Sequence, residues 1–199
     1  MPGEGDAGSA DARRAAAMRT SGVSAPAGGA PSDAALLATV MRRLAAVRDS
    51  RAEFTEEKTI AALRAPLRSS GRLAYRRPDR LEKITEWPQV EVLAVHGGTL
   101  SLTDNGATRT IVLASEPAIG ALVEAILGTL AGDLAGLRRW YHVGATGTPA
   151  AWRLSLRPRT PALAKFIRAA VIDGAGARMT RLRMVEANGD TSVMTISPA

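Results

Sequence analysis

Nearly all of the chain between Ala52 and Ile196 is written in short period-two runs, and only one block of helical spacing interrupts them. Ala52, Phe54 and Glu56 alternate with Glu53, Thr55 and Glu57, and candidate strands follow at 69–76, 81–87, 90–96, 99–103 and 108–113. Successive side chains of a strand point to opposite faces, so runs of this kind make one apolar and one polar surface. Ser69-Ser70-Gly71 leads into this series, Arg77-Pro78-Asp79 breaks it, and Gly97-Gly98 and Asn105-Gly106 supply hairpin turns. A second block reads Trp140–Ala145, Trp152–Leu156, Phe166–Ile172, Met179–Val185 and Ser192–Ile196. Strands joined by such short turns pair antiparallel. Without any βαβ alternation, the order predicts an antiparallel α+β domain rather than a doubly wound fold.

Helical spacing occurs in two places. From Asp33, the residues Leu36, Leu37, Val40, Met41 and Leu44 form one apolar stripe, with Ser32 or Asp33 as N-cap. After Pro117, residues 118–131 recur at helical spacing, and Gly132-Asp133 restarts a short helix through Leu134 and Leu137. The 118–131 segment is apolar almost all round, with Glu124 and Thr129 as its only polar side chains. Such a helix is normally buried on several sides. It either fills the core against the sheet or acts as a lid whose inner stripe faces a cavity. Ahead of these elements, residues 1–31 are rich in Ala, Gly, Ser and Pro and read as a disordered leader. The folded domain is then expected at 32–199. No continuous apolar core of a secretory signal is visible before residue 34.

Composition narrows the chemistry. The 199 residues include no cysteine, so disulfides, thiolate nucleophiles and Cys-ligated metals are excluded. His96 and His142 lie on different candidate strands, with no second ligand near either. There is no GxSxG elbow, no Walker loop and no GxGxxG opening a helix. Glu56 and Glu57 point to opposite faces, and Glu82 and Glu86 share a solvated one with Ile84. The residues give no argument for catalysis, a metal or a cofactor. The net charge of +7 comes from 26 basic and 19 acidic residues. Only Lys58, Lys83 and Lys165 are lysines, and the basic residues are scattered among acids. A nucleic-acid-binding β domain would need aromatics on a basic face, and Tyr75, Trp87, Trp140 and Tyr141 are too dispersed for one.

The stretch from Val47 to Leu102 resembles the LolA-like family of periplasmic outer-membrane lipoprotein carriers. The matching positions are Phe54, Gly71, Leu73, Arg77, Pro78, Pro88, Gly97 or Gly98, and Leu100. They represent a Phe-led strand after the first helix, a Gly-x-Leu strand ending in Arg-Pro, a strand running to Pro, and one leading to a Gly turn and Leu. The resemblance implies an incomplete antiparallel β-barrel of about 11 strands, covered by an N-terminal helix and a central helix pair. It implies a periplasmic, monomeric carrier without enzymatic activity. Its cargo would be the acyl chains of a lipoprotein or glycolipid, passed from an inner-membrane donor protein to an outer-membrane acceptor. The family often carries Gln at the position of Glu56 and a lid-contacting Arg near that of Lys58. The Asn188-Gly189-Asp190 turn and the strand after it look more like the shorter, LolA-related branch, associated with glycolipids or lipid-linked pigments. A sensor or interaction module of the same fold is the alternative role.

A carrier of this kind needs a dry concave wall and a cover. The wall candidates are Phe54, Leu73, Tyr75, Leu93, Val95, Leu102, Ile111, Leu113 and Leu154, and the lid candidates are Leu122, Ile126 and Leu130.

Overall fold

The computed structural model describes residues 33–199, so the proposed leader at 1–31 lies outside the described residues. Helix α1 (Asp33–Ala45) turns Leu36, Leu37, Val40, Met41 and Leu44 inward, the stripe expected from their spacing. Six strands follow: β1 (Asp49–Thr59), β2 (Leu67–Arg76), β3 (Arg80–Trp87), β4 (Glu91–His96), β5 (Thr99–Asp104) and β6 (Ala107–Val112). A 3-10 turn at Leu113–Ser115 leads to α2 (Pro117–Ala131) and α3 (Leu134–Trp140). The second strand block is β7 (Tyr141–Thr148), β8 (Ala151–Pro158), β9 (Ile167–Ala175), β10 (Arg178–Glu186) and β11 (Thr191–Pro198), with the one-turn helix α4 (Pro161–Ala164) between β8 and β9.

All eleven strands form one antiparallel sheet in the order β6-β5-β4-β3-β2-β1-β11-β10-β9-β8-β7. Each block is a meander of hairpins. The two meanders are joined where the first strand pairs with the last, Phe54 opposite Ile196 and Glu56 opposite Met194. The sheet does not close, because β6 and β7 are both edges. This is the incomplete barrel that the resemblance implies, with the helices on its concave face. No helix among the described residues is long and apolar enough to cross a membrane.

Four residues expected at strand ends, Val90, Leu113, Trp140 and Phe166, fall outside the strands. Leu113 opens the 3-10 turn instead of ending a strand. Trp140 closes α3, and β7 starts one residue later at Tyr141. Phe166 falls before β9 and is exposed. Pro161 starts an unforeseen helical turn here, and the Thr160 hydroxyl caps it by accepting from the Leu163 amide at 3.2 Å.

Gly71 explains why a strand should carry glycine at that place. A bulge shifts the β2–β3 register between Ser70 and Gly71 and brings the β3 backbone very close. A methyl group on Gly71 would collide with the Ile84 carbonyl oxygen.

Candidate functional site

The two halves of the concave face are packed differently. Over β7–β10, α1 and α3 build a solid core: Leu36, Val40, Leu44, Leu137, Tyr141, Leu154, Leu156 and Ile172 are all at most 1% exposed. Over β2–β6 the buried large apolar side chains are Tyr75, Leu81, Val95 and Leu100, with Thr85 and Gly71 buried beside them. The remaining apolar side chains of that half are partly exposed, among them Leu93, Ile111 and Leu113.

Helix α2 bridges the halves, and its burial is inverted. Its fully buried positions are the small ones, Ala121, Ala125, Gly128 and Thr129, where it packs on α1 and α3. Its large residues Ile119, Leu122, Val123, Ile126, Leu127 and Leu130 are only half-buried. Ile126 and Leu130 touch both apolar clusters, Ile119, Val123 and Leu127 the loose one, and Leu122 the solid one. Small residues let the helix sit close to its helical neighbours, while its bulky side chains hang over β2–β6. A helix that merely filled the core would bury the bulky residues first, since they gain the most from leaving water.

The C-terminal end of α2 is tied down by Arg77. Its guanidinium Nη1 donates to the Ala45 carbonyl at the end of α1, and at 3.4 Å to the Ala131 carbonyl at the end of α2. These carbonyls are the ones a helix leaves without an internal partner, and they carry the negative end of the helix dipole. Gly132, at φ +67°, turns the chain out of α2 so near α1 that a Cβ there would meet the Met41 carbonyl oxygen. Lys58, near the position where the family carries its lid-contacting Arg, pairs with Glu186 at 2.9 Å. The contact that joins the ends of α1 and α2 is made by the Arg of the Arg-Pro turn.

Two carboxylates are held away from ordinary behaviour. Glu56 points onto the concave face, pairs with Lys83 at 2.5 Å and accepts from the Ser192 hydroxyl at 2.5 Å. Burial pushes its pKa up, but the Lys83 charge and these hydrogen bonds outweigh it, and the net direction is down. Lys83 also lies 4.8 Å from the centre of the Phe54 ring. Glu124, the one charge of α2, sits against the α2–α3 junction, where burial and then Asp133 raise its pKa while Arg139 opposes them. Nearby, the Tyr141 hydroxyl donates to the Ala121 carbonyl at 2.8 Å, and burial, then Glu124, raise the phenol pKa.

The nominated residues divide along these lines. Tyr75, Leu93, Val95, Ile111 and Leu113 gather in the loose cluster, with Ile126 and Leu130 above them. Leu102 is half-buried beside Leu93 across the β4–β5 pair. Phe54 and Leu154 belong to the solid core, with Leu73 and Leu122 packed at its border. Sequence reading missed Leu81, Leu100, Ile119, Val123 and Leu127 as members of the loose cluster. Period two offered a signal for the first pair, since Leu81 and Leu100 stand opposite Tyr75 and Val95 in the ladder. Two shallow clefts of about 550 and 580 Å³ lie on the convex face around Thr55 and Ser70. Polar and charged side chains line most of both.

The molecule is thus an open antiparallel sheet, mainly apolar on its concave side and covered by a helix tied at one end. The chain belongs to the family of LolA-like outer membrane lipoprotein carrier proteins, which matches residues 29–198. That family is a carrier family rather than one of enzymes. Among solved structures, a LolA superfamily protein from Nitrosomonas europaea is similar at 12% identity and a TM-score of 0.45, over 84% of this chain and 92% of that one. A DUF1329 family protein from Desulfovibrio piger is similar at 13% identity and a TM-score of 0.46, over 81% and 88%. A chain of the Pseudomonas aeruginosa MucA/MucB complex is similar at 11% identity and a TM-score of 0.41, over 81% of this chain and 56% of that one. Among curated proteins, no relative matches.

Proposed function

We propose that the protein is a periplasmic carrier. It holds acyl chains of a lipoprotein or glycolipid between α2 and the β2–β6 half of the sheet, and shuttles them from an inner-membrane donor toward an outer-membrane acceptor. The observation that supports this reading is the inverted burial of α2, which buries its small residues and leaves its bulky apolar ones half-buried over a loosely packed wall. Each methylene withdrawn from water is worth about 0.8 kcal/mol, so an acyl chain of about 16 carbons gains on the order of 10 kcal/mol. No catalytic group is needed. The cover has to open, and α2 is suited to that because its tight contacts are with other helices.

Ile126→Asp tests the reading. If α2 opens over a guest site, the carboxylate turns into hydrated space and the protein stays folded but no longer takes up a fluorescent acyl probe. If α2 is fixed core, the same change buries an unpaired charge and unfolds the protein. Wild-type protein that takes up no probe contradicts the single-chain version outright.

A further inference from the structure

Tyr75 is the one polar member of the loose cluster's buried set, and its hydroxyl has no partner. The residue is 4% exposed, among Leu81, Val95 and Leu100, with the α2 side chains packed on them. Among the described residues, its hydroxyl is the one buried side-chain oxygen or nitrogen without a hydrogen bond. The other deeply buried tyrosine, Tyr141, meets the usual requirement through the Ala121 carbonyl. Leaving a donor unpaired in an apolar setting is destabilising, and phenylalanine would fill the same place without that cost. A bare hydrocarbon guest gives no reason for a hydroxyl here.

We propose that the Tyr75 hydroxyl is the polar anchor of the guest site, donating to an acceptor oxygen on a long-chain guest. The ligand class is therefore an acyl ester or amide, whose carbonyl stands beside Tyr75 while the chain lies along the wall, rather than a plain hydrocarbon. This rests on the carrier reading and names the group that the site recognises. The phenol suits the task. Burial raises its pKa, the neighbouring Arg77 opposes this and Asp79 adds to it, so the net direction keeps it protonated and a donor. Tyr75 is also two residues before Arg77, which ties both helix ends. The anchor therefore lies beside the fastening of the cover.

The test compares wild type with Tyr75→Phe, using displacement of a bound fluorescent acyl probe by methyl palmitate and by hexadecane. The expected preference for the ester over the alkane is larger in wild type by roughly three- to tenfold, the worth of one neutral hydrogen bond. The guest-free variant should melt at or above the wild-type midpoint, because no internal hydrogen bond is lost. An ester-to-alkane ratio that is the same in both proteins overturns the proposal while leaving the carrier reading standing. A lower midpoint for the variant also overturns it, since the hydroxyl would then have an internal partner. If wild type binds neither competitor nor probe, the carrier reading fails and the anchor with it.

Discussion

Replacing Arg77 with alanine should loosen the cover without dismantling the sheet. The guanidinium joins the last carbonyls of two helices, and a hydrogen bond from a charged donor is worth about 1.5–3 kcal/mol. The low end applies here, because Arg77 is exposed and its contact to Ala131 is long. A loss of about 1.5–2 kcal/mol in the docking of α2 multiplies the open population by roughly ten to thirty, since each 1.4 kcal/mol is a factor of ten. Hydrogen exchange reads this directly. The amides of α2 should exchange about ten- to thirtyfold faster in Arg77→Ala, while those of β8 and β9 stay near wild type. A bound acyl probe should leave faster by a similar factor. If α2 exchange is unchanged while β2 and β3 speed up, Arg77 is only a turn anchor, and the fastening of the lid lies elsewhere.

Three further outcomes follow from the packing and charges. Glu124 has a raised pKa, so it binds its proton more tightly folded than unfolded, and its contribution to stability falls as pH rises from the ordinary carboxylate range through the folded value; Glu124→Gln should flatten that part of the melting-temperature profile and raise the midpoint at neutral pH. Glu56 has the opposite sign, adding stability above its ordinary range that is lost as pH falls through its lowered value. Glu56→Leu, which leaves Lys83 largely buried without its partner, should cost about 2–3 kcal/mol in denaturant unfolding, and adding Lys83→Met should restore most of it. Gly71→Ala should destabilise by about 2–4 kcal/mol or prevent folding, because the clash is with backbone that cannot move aside.

The eleven strands were legible because each is short, alternating and bounded by its own turn residues, information that lies within ten residues or so. The pairing of β1 with β11 was not legible in the same way. It joins residues about 140 positions apart, and nothing local in either strand names its partner. The 118–131 helix shows the same limit: a segment apolar all round does not say which face is buried, and only the fold sets Ala121, Ala125 and Gly128 against α1 and α3. Arg77 was visible as part of a turn, yet its role depends on where α1 and α2 end, 32 and 54 residues away. Of the wall candidates, Phe54 and Leu154 have the same period-two signature as Leu93 and Ile111. What separates them is whether α1 and α3 or only α2 lies above them, and that is a property of the tertiary structure.

Where a guest sits can be read by trapping one. A palmitoyl chain carrying a diazirine near its end, loaded onto the purified protein and photolysed, marks the residues it touches, which peptide mass spectrometry then identifies. A carrier should be labelled at Leu93, Leu102, Ile111, Ile126 or Leu127, on both the wall and α2, and should lose the label in Ile126→Asp. Label confined to the convex clefts around Thr55 and Ser70, or no specific label on a folded protein, would contradict the carrier reading.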